Sequence, residues 1–280
     1  MFARLASLAT DAALRAAGCR RETLAVGPWR IRLSVGGLDA GEPWLLLHGM
    51  GATSATFLPL LHELQDDCSL RLPELSALGG TRGPRAAIAL DEGVEILAAA
   101  IERSWPGRAA TVCGISLGGW LAVRLALARP DLVARLLLVV PGGYRDQDWS
   151  RIADMVRVET YRDTAAMWHA LFVRPPLYLR LGRPLFFLAY TSAAVQAVLA
   201  TVRRADAFGD EDLRRLGCPV GLIWGEEDRL FRAEVGERML RALPRSRLYR
   251  VAGAGHAVQW EKSAEFLAGV RDFRRRFPLP

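Results

Sequence analysis

Lysine is almost missing from this chain: Lys262 stands alone among 37 basic residues, so the formal charge of +7 is carried by arginine. The arginines are scattered, and a nucleic-acid site needs a clustered basic face, so no nucleic-acid partner is expected. The nearest cluster, Arg274, Arg275 and Arg276, reads as a solvated helix end beside a favourable dipole, with weak attraction to anionic lipid as the alternative. Cysteine is scarce too. Cys19, Cys68, Cys113 and Cys218 form no close pair and have no histidine at ligand spacing, which excludes a zinc site, a redox motif and a disulfide framework; reduced, buried thiols are expected. The opening stretch MFARLASLATDAALRAAG lacks an unbroken apolar run, because Asp11 and Arg15 interrupt it, so it is neither a signal peptide nor a membrane span. A packing helix is the plain reading. Phe2, Leu5 and Leu8 nonetheless form one apolar stripe, and a weak peripheral membrane contact through this helix is the alternative. No internal repeat or low-complexity tract is present.

What is there suits one elaborated domain. The 280 residues are 51% hydrophobic and 24% charged, ordinary values for a soluble globular chain with a sizeable core. A hairpin is expected around Gly27-Pro28, where two short alternating runs meet. Short continuous apolar runs follow at Pro43 to Leu47, Ala109 to Cys113, Leu136 to Val140 and Val220 to Trp224. Each is too short for a helix, which makes it a buried parallel strand. Helical stretches lie between, roughly Ser54 to Asp66, Ile88 to Ser104, and Leu117 to Arg129, the last stopped by Pro130. Alternation of this kind predicts an α/β fold: a mostly parallel twisted sheet with helices on both faces. The alternation fails over 143–216, a mainly helical, aromatic-rich segment that Pro175-Pro176 and Gly182-Arg183-Pro184 should divide into short helices. The expected organisation is an N-terminal helix over 1–18, a core over 19–142 and 217–280, and a helical lid insertion over 143–216.

Chemistry concentrates at three places. Gly114-Ile115-Ser116-Leu117-Gly118 follows a strand and precedes a helix, the setting in which Gly-x-Ser-x-Gly makes a strained turn that exposes the serine oxygen. A serine hydroxyl is a poor nucleophile without a general base, and the base needs an acid to fix its tautomer. Asp228, in Trp224-Gly225-Glu226-Glu227-Asp228, projects from a strand's carboxyl end, and His256 follows in Gly253-Ala254-Gly255-His256. Glu226, Glu227, Asp146 and Asp148 are rivals for the acid; the Gly-x-x-Asp spacing favours Asp228. Of the other histidines, His48 precedes a glycine turn, His62 sits in a helix and His169 in the insertion, and each reads as structural. An oxyanion needs preorganised donors, and His48-Gly49-Met50-Gly51 after the first parallel strand is a suitable turn. The expected donors are the backbone N–H groups of Met50 and Leu117. Trp168, Phe172, Phe186 and Phe187 are the candidates for an apolar substrate-binding cavity above Ser116.

LLLHGMG, CGISLGGWLAVRLALARPDLVARLLLVVPGG, LIWGEEDRLF and VAGAGHAVQWEKSAEFLAGVRDF resemble the corresponding blocks of the α/β-hydrolase superfamily, from about Thr23 onward. Pro141-Gly142-Gly143 is similar to bacterial monoacylglycerol-lipase-like and carboxylesterase members, with ring-cleavage carbon–carbon hydrolases close behind. The resemblance implies the α/β-hydrolase fold and a cofactor-free, cytoplasmic serine hydrolase. Its substrate would be a small hydrophobic ester cleaved through an acyl-enzyme on Ser116, His256 and Asp228. Carbon–carbon hydrolases, perhydrolases and thioesterases use the same triad; a non-catalytic receptor on the scaffold is a further alternative. One departure is plain: the usual Asp-x-Pro-Gly-x-Gly turn appears as Pro73-Glu74-Leu75-Ser76-Ala77-Leu78-Gly79-Gly80, leaving the shape of loop 73–83 open.

Overall fold

The computed structural model describes residues 2–279, with side chains described for all of these except 2–4, 77 and 178. The apolar runs form one eight-stranded sheet. Its strands are β1 (Arg20–Val26), β2 (Trp29–Gly37), β3 (Glu42–Leu47), β4 (Cys68–Pro73), β5 (Ala110–Ile115), β6 (Val133–Val139), β7 (Val220–Gly225) and β8 (Ser246–Val251), in the order β1-β2-β4-β3-β5-β6-β7-β8. β2 runs antiparallel to both β1 and β4; every other pairing is parallel. The Gly27-Pro28 hairpin closes with Val26 opposite Trp29 and Gly27 at φ +51°, a left-handed conformation glycine adopts freely. The central strands β3, β5, β6 and β7 carry Trp44 to Leu47, Val112, Leu136 to Val139 and Leu222 to Trp224, all fully buried, because helices cover both faces.

β4 is a strand the apolar runs do not announce, since Ser69 and Arg71 interrupt it. Both are buried nonetheless. The Trp105 indole N–H donates to Ser69 Oγ at 3.0 Å, and the Arg71 guanidinium stacks 5.2 Å from the Trp105 ring while its N–H groups reach Ser69 Oγ and Ser104 Oγ. The expected helix from Ser54 is likewise divided, into a 3-10 turn (Ser54–Phe57) and an α-helix (Leu58–Leu64) with proline in its first turn.

Between β6 and β7 the chain leaves the sheet for six short helices, Trp149–Val156, Thr164–Leu171, Leu177–Leu181, Arg183–Tyr190, Ala193–Thr201 and Asp210–Arg214. Pro175-Pro176 falls in a break, and Gly182 ends one helix as Pro184 opens the next. The segment is tied at its neck, where Tyr144 and Phe208 form a parallel bridge: Phe208 N–H donates to Gly143 O at 2.9 Å and Arg145 N–H to Phe208 O at 2.8 Å.

The N-terminal helix (Phe2–Ala16) is docked, and Asp11, read above only as an interruption, is what docks it. Its carboxylate is 4% exposed and pairs with Arg32, also 4% exposed, and with Arg21 at 3.0 Å. Arg32 further donates to Gly79 O at 2.8 Å, and Thr10 Oγ1 donates to Thr53 Oγ1 at 2.8 Å. Leu14 is buried, whereas Leu5 and Leu8 are exposed; the Phe2 side chain of the expected stripe lies outside the described residues. Burial pushes the thiols of Cys19, Cys68 and Cys113 up, so these are inert packing groups.

Removing one partner of a buried ion pair leaves the other uncompensated. Asp11→Ala should therefore cost about 3 kcal/mol. Urea unfolding measures it as a lower midpoint with unchanged slope; a loss within about 0.5 kcal/mol, as for an ordinary surface change, would show that the helix is held by apolar contacts alone.

Candidate active site

Ser116 occupies the turn between β5 and the helix Leu117–Ala128 with φ +53° and ψ −116°. Only one other described non-glycine residue has positive φ, Val140 at +40°, at the end of the neighbouring strand. Ser116 is held by residues on either side of Val140: Ser116 N–H donates to Val139 O at 3.0 Å, and Ser116 O accepts from Gly142 N–H at 2.9 Å. Strain of this kind persists only where surrounding structure over-determines it. Here the glycines supply the constraint. A Cβ on Gly114 would stand 2.3 Å from Gly118 O, and one on Gly118 would stand 2.1 Å from Leu47 O, so β3, β5 and the helix approach closer than any side chain permits.

Asp228, in the turn after β7, is buried and fully used. Its Oδ1 accepts from the N–H groups of Leu230 and Phe231, both at 2.8 Å, and its Oδ2 accepts from His256 Nδ1–H at 2.8 Å. Trp224 Nε1–H holds the same turn by donating to Phe231 O at 2.8 Å. With Nδ1 committed as a donor, Nε2 is the histidine's remaining acceptor. The Phe231 ring meets the imidazole edge-on at 5.0 Å and fixes its plane. The rival acids are elsewhere: Glu226 pairs with Arg250, Glu227 accepts from Gly253 N–H, Asp148 caps the helix Trp149–Val156, and Asp146 is exposed. His62 and His169 are exposed on their helices.

Ser116 and His256 line one cavity of about 400 Å³, together with Met50 and Leu117. The Leu117 N–H is the first of its helix and has no partner within it. Gly49 lies against the serine, where an added Cβ would come 3.3 Å from Ser116 Cβ. Behind this turn, His48 Nδ1–H donates to Gly49 O at 2.8 Å and His48 Nε2 accepts from Leu75 N–H at 3.1 Å. Glu74, 1% exposed, settles the shape of the departing loop: it accepts from Ser54 N–H at 3.0 Å, lies 3.4 Å from His48 Nε2, and fills the space a side chain at Gly79 would need. The sequence marked Glu74 only as part of a loop that departs from the family pattern.

The cavity wall is largely apolar and comes partly from the helical segment: Ile152, Met167, Leu171, Phe172, Phe186 and Tyr190 all contribute. Of the four aromatics expected here, Phe172 and Phe186 line it; Trp168 and Phe187 do not. Trp168 stands behind them, 4.6 Å from the Phe172 ring and 5.4 Å from Phe186, and Phe187 turns away to meet Tyr161 edge-on. Apart from His256, the polar groups of the wall among the described residues are uncharged: Thr56, Ser116, Gln147, Tyr190, Gln259 and the indoles. Two of them have a buried atom without a partner, the Tyr190 hydroxyl and the Gln259 amide oxygen, whose amide nitrogen donates to Thr56 Oγ1 at 3.0 Å. Burial pushes the Tyr190 phenol up, leaving it a neutral donor.

The histidine turn and the helical segment share one carboxylate. Glu261 accepts from Val173 N–H at 2.7 Å and Arg174 N–H at 2.6 Å through one oxygen, and from Gly255 N–H at 2.8 Å through the other. On the opposite side, Arg151 donates to the carbonyls of Arg229 and Leu230, immediately after Asp228.

Residues 44–269 match the Alpha/beta hydrolase family. The chain belongs to that family, and it is a hydrolase. It is similar to a 2-hydroxy-6-oxononadienedioate/2-hydroxy-6-oxononatrienedioate hydrolase of Burkholderia vietnamiensis, 28% identical over 206 residues, covering 66% of this chain and 69% of that protein. It is also similar to the pimeloyl-[acyl-carrier protein] methyl ester esterase of Nitrosomonas europaea, 29% identical over 233 residues, covering 78% and 89%. Among solved structures, a membrane phospholipase A described as a bacterial virulence factor shares the fold, with a TM-score of 0.82 at 24% identity over 98% of this chain and 92% of that one.

The close approach at Gly118 makes a sharp stability prediction. Gly118→Ala must displace the Leu47 carbonyl and should cost about 3 kcal/mol. Gly217→Ala, where an added Cβ meets nothing within 4 Å, is the control and should be nearly neutral. Equal urea midpoints for the two variants would contradict the packing described.

Proposed function

We propose that the chain is a serine hydrolase of uncharged, hydrophobic carboxylic esters. Ser116 Oγ attacks the ester carbonyl while His256 Nε2 takes its proton, and Asp228 holds the imidazole tautomer and stabilises the imidazolium. The N–H groups of Met50 and Leu117 receive the developing oxyanion. Collapse of the tetrahedral intermediate releases the alcohol, protonated by His256, and leaves an acyl-enzyme that water hydrolyses by the reverse use of the same groups.

The observation that carries this reading is the wall of the cavity. A substrate ending in carboxylates, as the -dioate in the name of the Burkholderia relative's substrate denotes, would bury negative charge against residues that, His256 aside, offer no cation, at a cost of several kcal/mol per ion. A neutral acyl chain meets no such cost. The Nitrosomonas relative is named for a methyl ester, which fits the same chemistry. Glycerol monoesters, with one neutral acyl chain, are natural candidates for such a cavity.

Ser116→Ala should abolish ester hydrolysis while leaving the unfolding midpoint near that of the parent, and Asp228→Asn should lower kcat by roughly 10⁴-fold. Glu227→Gln should be nearly silent; a severe Glu227→Gln with a mild Asp228→Asn would move the acid. Each added methylene desolvated in the transition state contributes up to ~0.8 kcal/mol, or about fourfold in kcat/KM. Across p-nitrophenyl acetate, butyrate and octanoate, kcat/KM should therefore rise, and a 2-hydroxy-6-oxo-dienoate should be turned over far more slowly than any of them. A series that peaks at acetate, or a preference for the dienoate, would overturn the assignment.

A further inference from the structure

The helices that wall the cavity are apolar on their outer side as well. Leu179, Phe186 and Tyr190 face the cavity, yet Leu177 and Leu181 are 67% and 74% exposed and Leu185 and Leu188 are 61% and 47% exposed. A surface helix ordinarily turns charged and polar residues outward, and these two do the reverse. The N-terminal helix packs against Arg183–Tyr190 and adds Leu5 and Leu8, 58% and 61% exposed. Most of the large hydrophobic side chains exposed among the described residues thus sit on three helices in contact. Their spacing within each helix is three or four residues, so each contributes a stripe, and exposed apolar residues gathered on neighbouring helices suit an interaction site.

Charge identifies the partner. From residue 164 to 205 there is no aspartate or glutamate, while Arg174, Arg180, Arg183, Arg203 and Arg204 fall in that span. Arg174 and Arg180 are exposed, and Arg180 lies three residues from Leu177 on the same helix. Arginine lays its aliphatic stem along apolar surface and leaves its charge at the boundary, an arrangement that fits anionic headgroups above acyl chains. The pair Arg183–Tyr190 and Ala193–Thr201 is together apolar enough for a membrane span, but it is bent by 57°, and no single described helix is long and apolar enough to cross. The outward leucines of the short helices, with the opposite side of each packed on the protein, suit lying on a surface.

We propose that the helices Leu177–Leu181 and Arg183–Tyr190, with Leu5 and Leu8, dock on an anionic lipid surface. The docking places lipid one helix thickness from the cavity that holds Ser116, and it is measured without turnover, so it stands or falls separately from the ester-hydrolase reading.

Flotation of the full chain with vesicles tests it. With equimolar phosphatidylglycerol and phosphatidylcholine the protein should float, and with phosphatidylcholine alone it should bind roughly tenfold more weakly. Leu181→Asp/Leu185→Asp and, separately, Arg180→Glu should each reduce binding to the anionic vesicles by roughly tenfold, with circular dichroism melting curves like the parent's. Leu177→Ser/Leu188→Ser supplies a milder variant of the same patch should the first pair fail to fold. Leu38→Asp, at an exposed leucine beside β2, is the control and should bind as the parent does. A parent that does not float, patch variants that float unchanged, or a parent that ignores vesicles and forms a dimer abolished by the same substitutions would each overturn the proposal.

Discussion

Three backbones meet at the Leu47 carbonyl, and the geometry around Ser116 follows from that meeting. β3 ends there, β5 ends beside it, and the helix after Ser116 begins close enough that Gly118 leaves no room for a Cβ. The serine is forced into a left-handed conformation, and its backbone is then held by Val139 at the end of β6 and by Gly142 in the loop that follows. The same closeness sets Gly49 against the serine and Met50 at the edge of the cavity. The placement of Ser116 and of the backbone at Met50 and Leu117 therefore follows from one packing constraint, and under the proposed mechanism main-chain donors fixed this way need no reorganisation during reaction.

Around that constraint the helical segment is fastened to both turns that carry Asp228 and His256. Glu261 joins Val173 and Arg174 to Gly255, and Arg151 joins the first helix of the segment to the carbonyls that follow Asp228. Charge-assisted bonds of this type are the stronger class of hydrogen bond. The segment is thus mechanically continuous with the histidine and aspartate turns, and its apolar cavity wall and its leucine-bearing outer face belong to the same short helices.

Much of this was legible in the sequence where one residue type has one physical use. Glycines flanking Ser116, apolar runs ending at glycine or proline, and the Gly-x-x-Asp spacing led to the strands and to the residues the structure gathers. What the sequence hid depends on partners distant along the chain. β4 was obscured because Ser69 and Arg71 are polar by type and buried only through Trp105. Asp11 looked like a solvent-facing interruption until Arg32, 21 residues later, neutralised it. Glu74 lies in a loop whose departure from the family pattern was visible but whose burial against His48 and Ser54 was not. Of the four expected aromatics, Phe172 and Phe186 line the cavity; Phe187 does not, because it is adjacent to Phe186 on a helix and points about 100° away from it.

The central claim is that Ser116 forms a covalent bond to substrate in a site pre-shaped by the β3–β5 approach. Its most direct test is peptide mass spectrometry after reaction with a fluorophosphonate carrying an alkyl chain. A single adduct is expected on the peptide containing Ser116, formed rapidly in the parent and slowed by several orders of magnitude in His256→Ala, which removes the proposed base. An adduct on any other residue, or labelling of Ser116 at equal rates with and without His256, would contradict it.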